Sequence, residues 1–351
     1  MIPASVPSAP LAAPRTEEEL EERLSRPNAA VVEALRQSPG DVVVVGAGGK
    51  MGPSLTAMLR RAADALGDGR RIFAVSRWGS ASDAARLEAM GIEVVRADLL
   101  DPDAVDALPD APNVVFMAGQ KFGTRDAPSL TWMTNTVVPA YVARRYRHAR
   151  IVAFSTGNVY GLSPVDGTGS REDDPLAPVG EYAASCVGRE RVFEDAATRW
   201  GTRVTIIRLN YAVDLRYGVL VDLARRILAD EAVDLGMGYV NCIWQGDANA
   251  MALAALAAAA TPPFVLNVTG AERLSVRALA LELGLLLGRT PTFTNAEAPD
   301  ALLSDTRRAQ SLVGLPEIDG HTLAAWVAEW LRLGGRTLGK PTRFERRDGT
   351  F

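Results

Sequence analysis

Histidine and cysteine are scarce in this 351-residue chain, with only His148, His321, Cys186 and Cys242 present. Neither cysteine belongs to a CxxC pair and no histidines cluster near one, so the spacing of a zinc site is missing. Two histidines also leave little from which to build a Ser-His-Asp triad. So few cysteines fit a reduced, cytoplasmic setting better than a disulfide scaffold. A basic surplus is absent too. At a net charge of −4, the chain has no excess of cations with which to neutralise nucleic-acid phosphates. Long hydrophobic runs are lacking, since "MALAALAAAA" (251–260) is too short to span a bilayer and reads as a buried helix. The N-terminal "MIPASVPSAPLAAPRTEEELEERL" has no basic segment leading into an apolar core, so a signal peptide is not expected. The expected partner is therefore a small molecule, with no metal, nucleic acid or membrane.

What is present is an ordinary globular composition, 48% hydrophobic and 23% charged, in a chain long enough for one large domain or two modest ones. Residues 1–15 read as disordered, and "TEEELEERLSRPNAAVVEALRQ" as one or two short surface helices. At "DVVVVGAGGKMG" (41–52) four consecutive valines predict a strand buried on both faces, as in a parallel sheet. Helix and strand patterns then alternate through "RIFAVSR", "IEVVRADL", "NVVFMAG", "RIVAFST" and "RVTIIRL". That alternation predicts a doubly wound α/β fold with a parallel sheet. "SLTWMTNTVVPAYVARRYR" reads as one continuous helix within it. The expected organisation is an N-terminal extension over 1–40 and a dinucleotide-binding domain over 41–208. A late strand near 263–269 rejoins that domain's sheet. Residues 209–262 and 270–351 form a smaller, mostly helical substrate lobe and a tail.

Gly46, Gly49 and Gly52 stand at a strand-to-helix junction. Glycines there let the backbone turn tightly and approach a pyrophosphate, whose charge lies at the helix N-terminus. Pro53 suits the first helical turn, where no donor is lost. The second strand ends in Ser76 and Arg77 rather than in the acidic residue that reads the ribose of NAD. Arginine can meet a 2′-phosphate, which tips the expectation from NAD towards NADP. Asp98, ending the third strand, is positioned for the adenine.

Taken together, "GAGGKMG", "ADL", "VVFMAG", "TNTVVPAYVA", "VAFSTGNVYG", "YAASCVGRE", "QGDANAMA" and "NVTG" resemble the extended short-chain dehydrogenases/reductases, the group of NAD-dependent epimerases and dehydratases, over about residues 41–330. The resemblance assigns the dinucleotide to Gly46, Gly48, Gly49, Lys50, Met51 and Gly52, and to Ser76, Arg77, Asp98 and Leu99. It adds Ala118, Gly119, Lys121, Asn135 and Tyr182 to the same task. It implies Tyr182 as the acid/base that exchanges a proton with the substrate while hydride passes to or from the nicotinamide, with Thr156 sharing the role. Tyr160 is expected to pack structurally. The family's lysine, four residues after the tyrosine, falls at Cys186, which is expected to be a small buried group. Two cations could replace it. Arg189 shares the helix face of Tyr182 and is expected at the surface or in an ion pair. Lys121 is favoured, because in UDP-galactose 4-epimerases a similarly placed lysine lies beside the cofactor. The resemblance also implies a homodimer built on the two helices flanking the active site.

Other departures narrow the substrate. The acid and base of the dehydratases would follow Thr156, where Gly157 and Asn158 stand instead. The arginine that clamps a nucleotide diphosphate, seven residues before Asp247, is replaced by Val240. Tyr211 and Asp214 replace the family's Asn and Gly after the strand ending near Arg208. A small sugar, sugar acid or related hydroxy or keto compound is expected, rather than a nucleotide sugar. Thr156, Asn158, Asn210, Tyr211 and Trp244 are the candidate contacts, with Asn241 and Gln245 near them. The reading is an NAD(P)-dependent oxidoreductase or epimerase. Its rival is a dinucleotide-binding sensor or structural protein in which catalysis is lost.

Overall fold

The computed structural model describes residues 11–350. The expected disorder at residues 1–15 lies mostly outside these. Seven strands form the central sheet: β1 (Val42–Val45), β2 (Ile72–Ser76), β3 (Glu93–Arg96), β4 (Asn113–Phe116), β5 (Arg150–Thr156), β6 (Arg203–Leu209) and β7 (Phe264–Val268). They lie in the order β7-β6-β5-β4-β1-β2-β3, with every neighbouring pair parallel. This is the doubly wound fold the alternation predicts, and β7 is the late strand, paired from Phe264↔Thr205 to Val268↔Leu209. All four residues of β1 are buried, because helices cover both faces of a parallel sheet. Strand order reverses between β1 and β4, which opens a crevice at their carboxyl ends.

Apolar cores lie on either side of the sheet, and a third fills the C-terminal lobe around Trp244, Trp326 and Trp330. The helical segment near 251–260 is buried as expected: Gln245–Ala254 is an α-helix continued by a 3₁₀ turn.

Two expectations are corrected here. The N-terminal helices Glu17–Leu24 and Ala29–Gln37, capped by Thr16 and Asn28, are built into the body rather than laid on it. Leu20 and Leu24 are fully buried in the lobe core, and Val31 and Leu35 in the sheet core. Second, the helix expected at "SLTWMTNTVVPAYVARRYR" is interrupted by a π turn, Met133–Val137, between Pro128–Trp132 and Val138–Arg145. The cause is Pro139. It has no N–H to give the carbonyl of Asn135 one turn earlier, and that carbonyl accepts Arg189 Nε at 3.3 Å instead.

Candidate active site

The carboxyl ends of β1, β4, β5 and β6 open on a cleft of about 770 Å³, within the size range of cofactor sites. The glycine loop forms one wall. Gly46 has φ +90°, and a Cβ on it would lie 2.5 Å from the amide nitrogen of Ala118; on Gly52 it would lie 2.2 Å from the Ala47 carbonyl oxygen. Only glycine allows the loop to fold back this tightly. Among the described residues, the amides of Gly48, Lys50 and Met51 donate to no protein acceptor. They sit at the N-terminus of the helix Gly52–Leu66, whose N-cap position supplies no side-chain bond. Unsatisfied donors at the positive end of a helix, in a cradle without side chains, fit a pyrophosphate.

Across the cleft, Thr156 ends β5 and Tyr182 lies in the first turn of the helix Gly180–Trp200. The Tyr182 hydroxyl is hydrogen-bonded to Thr156 and to Cys186. Thr156 Oγ1 also accepts from Asn158, from its side-chain Nδ2 at 2.9 Å and its backbone N–H at 3.2 Å. Burial pushes the Tyr182 phenol well above its ordinary range and Cys186 adds to this, while the Arg189 charge and the Thr156 bond oppose it. The phenol therefore keeps its proton near neutrality and can act as a proton donor. Cys186 is fully buried beside Val159 and Tyr160, with its thiol pushed up by burial, in accord with an inert small group. Tyr160 is structural as expected: it is 3% exposed and donates to Asn267 Oδ1 at 2.9 Å.

The cations differ from expectation. Arg189 is not a surface residue. It is 5% exposed and donates to the Phe154 carbonyl at 2.7 Å and to Asn135 Oδ1 at 2.8 Å. Asn135, fully buried, also accepts from the Gln120 amide at 2.8 Å and donates to the Gln120 carbonyl at 2.9 Å and to Ser185 Oγ at 2.9 Å. It does not line the cleft. The amide and carbonyl of the residue before Lys121 are thus fixed to the Tyr182 helix through one side chain. Lys121 Nζ lies 5.9 Å from the Tyr182 ring centroid and 5.7 Å from that of Phe122. Burial holds it down to about 8, against the attraction of Cys186 and Asp222.

Beneath Thr156, Arg208 and Glu190 form a buried pair at 2.7 Å, with side chains 5% and 1% exposed. Ser155 Oγ donates to the same carboxylate at 2.6 Å, and Arg208 also reaches Tyr160 Oη at 2.6 Å and the Glu172 carbonyl at 3.0 Å. This network ties the ends of β5 and β6 to the Tyr182 helix. Lys50, in the glycine loop, donates to the Ala212 carbonyl at 3.3 Å and lies 4.0 Å from the Tyr217 ring centroid. Burial lowers it to about 7; Asp214 attracts its charge, while Lys121 and Arg216 repel it.

Of the remaining sequence candidates, Gly119, Asn158, Asn210 and Tyr211 line the cleft. Tyr211 has φ +40°, a strained angle for a non-glycine residue at a site, and its hydroxyl reaches the Phe344 carbonyl at 3.5 Å. Ser76, Arg77, Asp98, Leu99 and Ala118 do not line it. Ser76 packs on Gly48, Arg77 and Asp98 are exposed, and Ala118 is sealed against the Gly46 turn. Trp244 is also withdrawn: it is 2% exposed and meets Trp326 edge-on at 5.6 Å, because the indole completes the lobe core. Asn241 and Gln245 are buried as well. Sequence reasoning missed Tyr217, Arg216, Glu21, Arg336 and Lys340, all lining the cleft. They come from loops and both chain ends, so no local motif marks them. Among the described residues no cluster of metal-ligating side chains occurs, and no helix is long and apolar enough to cross a membrane.

The fold recurs in solved structures. UDP-glucuronic acid 4-epimerase from Bacillus cereus, in complex with NAD, is 18% identical with a TM-score of 0.69, covering 83% of this chain and 98% of its own. MoeE5 in complex with UDP-glucose and NAD is 24% identical, with a TM-score of 0.66 and coverage of 84% and 99%. UDP-glucose 4-epimerase from Thermotoga maritima is 17% identical, with a TM-score of 0.68 and coverage of 83% and 98%. At these identities the likeness establishes the fold. No curated protein matches the chain. Residues 42–233, more than half of the sequence and including the glycine loop, Thr156 and Tyr182, match one family: the chain belongs to the NAD dependent epimerase/dehydratase family.

Proposed function

We propose that this protein is an NAD(P)-dependent oxidoreductase or epimerase acting on a small sugar, sugar acid or related hydroxy or keto compound. The observation that carries the reading is the Tyr182 hydroxyl bonded to Thr156 inside the cleft that the glycine loop opens. Gly46, Gly48, Gly49, Lys50, Met51 and Gly52 would hold the dinucleotide's pyrophosphate, and the nicotinamide, when bound, supplies hydride exchange. Tyr182 gives a proton to the substrate oxygen in the reducing direction and takes it back in the oxidising one. Thr156 orients that oxygen, and Lys121 favours the negative charge that develops on the phenol. Asn158, Asn210 and Tyr211 read substrate hydroxyls. Arg77, exposed at the end of β2, is the residue that would favour NADP. The division into a dinucleotide domain over 41–208 and a substrate lobe belongs to this reading. So does a homodimer, supported by the exposed apolar Leu130, Trp132, Met133 and Val179 beside the Tyr182 helix.

A small substrate is supported by Val240, which is fully buried where the family's clamp would stand, and by Asp247, which is bonded to the Ile318 amide at 3.1 Å. The test is a panel run with both NAD and NADP: free sugars and sugar acids beside UDP-glucose and UDP-glucuronic acid. Conversion or isomerisation of free compounds alone is expected. Turnover of the UDP-sugars would overturn the restriction to small substrates.

Cofactor binding should be linked to protonation at Lys50. Its folded value of about 7 lies below the ordinary 10.5, so between these limits the unfolded chain holds the extra proton and stability rises with pH. An arriving pyrophosphate reverses the balance by favouring the charged amine. Binding at pH 8 is expected to take up a proton, read by calorimetry in buffers of different ionisation enthalpy, and Lys50→Gln should remove most of it. No uptake in the wild-type protein would refute the assignment of Lys50 to the pyrophosphate.

A further inference from the structure

The chain contains three lysines, Lys50, Lys121 and Lys340, against 35 arginines. Arginine carries nearly all of its cationic surface. Roughly a tenth of the residues line the cleft, and only three arginines do so, yet all three lysines are there. The two kinds of cation are also used differently. Arg216 is paired with Asp214, Glu17 and Glu21, Arg336 with Glu17, and Arg86 with Glu21 and Asp83. These arginines hold the N-terminal helix and the C-terminal segment to the rim. Lys50 and Lys340 form no ion pair among the described residues.

Two of the lysines have tasks in the reading above. Lys50 belongs to the glycine loop and Lys121 stands beside Tyr182. Lys340 has no counterpart in the motifs, and its setting is built rather than loose. The Leu338 amide donates to the Arg216 carbonyl at 2.9 Å, and the Thr342 amide and hydroxyl donate to Asp222 at 2.7 and 2.6 Å. Phe344 is 3% exposed in the lobe core. Gly339, at φ +65°, and Pro341 turn the chain between the two anchors. The backbone of Lys340 is therefore fixed at two residues on either side, while its side chain is exposed at the cleft. A compact, strongly hydrated ammonium on a long stem suits a ligand that arrives and leaves, whereas a fork already engaged by carboxylates does not.

We propose that Lys340 is the cation that receives an anionic group of the substrate, a carboxylate or a phosphate, so that the cleft selects an acidic sugar derivative over its neutral parent. The proposal rests on the reading of this cleft as the substrate site of a dinucleotide enzyme, and it is tested without turnover. The full-length protein, saturated with NAD, is titrated calorimetrically with glucuronate, inorganic phosphate and glucose. The expected result is binding of at least one anion in preference to glucose. Lys340→Gln should weaken that binding about fivefold or more, the worth of a partly exposed charge pair, while Lys340→Arg retains most of it. NAD affinity is unchanged in both variants. Whichever of glucuronate and phosphate responds to Lys340→Gln identifies the carboxylate or phosphate form. Equal anion binding in wild type and Lys340→Gln would overturn the proposal, as would loss of anion binding in Lys50→Gln alone, which would assign the anion to the glycine loop. Anion binding that depends on Lys340, in a protein that turns over no sugar, would leave this assignment standing and sink the catalytic one.

Discussion

Replacing Lys121 by alanine is expected to lower kcat by roughly a hundred- to ten-thousandfold, the range for loss of acid–base assistance, with circular dichroism and cofactor affinity near wild type. Two features set the size of the effect. The Tyr182 phenol is already driven above its ordinary range by burial and by the neighbouring Cys186, so any step that removes its proton depends on nearby positive charge. In the proposed mechanism Lys121 would supply that charge: its Nζ lies 5.9 Å from the ring centroid, on a loop whose backbone is held independently by Asn135. The substitution therefore removes a charge and leaves the bonds from Asn135 to the loop backbone in place. Arg189 is a cation whose charge already opposes the upward shift of Tyr182, but its guanidinium is committed to Phe154 and Asn135. Unchanged turnover in Lys121→Ala would transfer the electrostatic role to Arg189 and end the case for Lys121.

The second large effect concerns stability. Glu190→Ala is expected to destabilise the protein by about 3–5 kcal/mol, because it leaves the Arg208 guanidinium buried without its counter-ion. Ser155 Oγ would lose its acceptor at the same time. In a chain of this size the loss should appear calorimetrically as a fall in Tm of order ten degrees. A Glu190→Leu/Arg208→Met double variant should be more stable than Glu190→Ala, since removing both charges removes the desolvation cost as well. A loss below about 1 kcal/mol in Glu190→Ala would mean that water reaches the pair and that the ends of β5 and β6 are held by something else.

Much of the site was legible because its residues stand at fixed steps from strand ends. The glycine loop follows β1, Lys121 follows β4, Thr156 closes β5, and a parallel sheet carries all these ends to one edge. Tyr182 was legible from its motif. The candidates that lie outside the cleft share a cause. Asn135 and Trp244 are polar or amphipathic residues near strand ends, which a sequence cannot distinguish from cleft residues when tertiary contacts bury them. Arg189 read as an ordinary helical arginine, since nothing local revealed that Pro139 frees a carbonyl for it fifty residues away. The residues that line the far end of the cleft were hidden from the sequence for a related reason. Trp78, at φ +56°, is packed 6% exposed beside Gly48, and Ser80, Asp83 and Arg86 line that end of the cleft where Asp98 and Leu99 were expected.

By itself the sequence determined the parallel sheet and placed Thr156 and Tyr182, the proposed proton-handling pair, since both follow from alternation and short motifs that act over a few residues. It also determined, in a composition easily passed over, that lysine is confined to three positions. Only the tertiary structure decided that these three positions meet in one cleft. It closes that cleft with the N-terminal helix and the C-terminal segment, through Arg216, Arg336 and the Thr342–Asp222 bonds. Contacts between residues some 120 to 320 positions apart depend on where the two ends of the chain come to rest, and no local pattern encodes that.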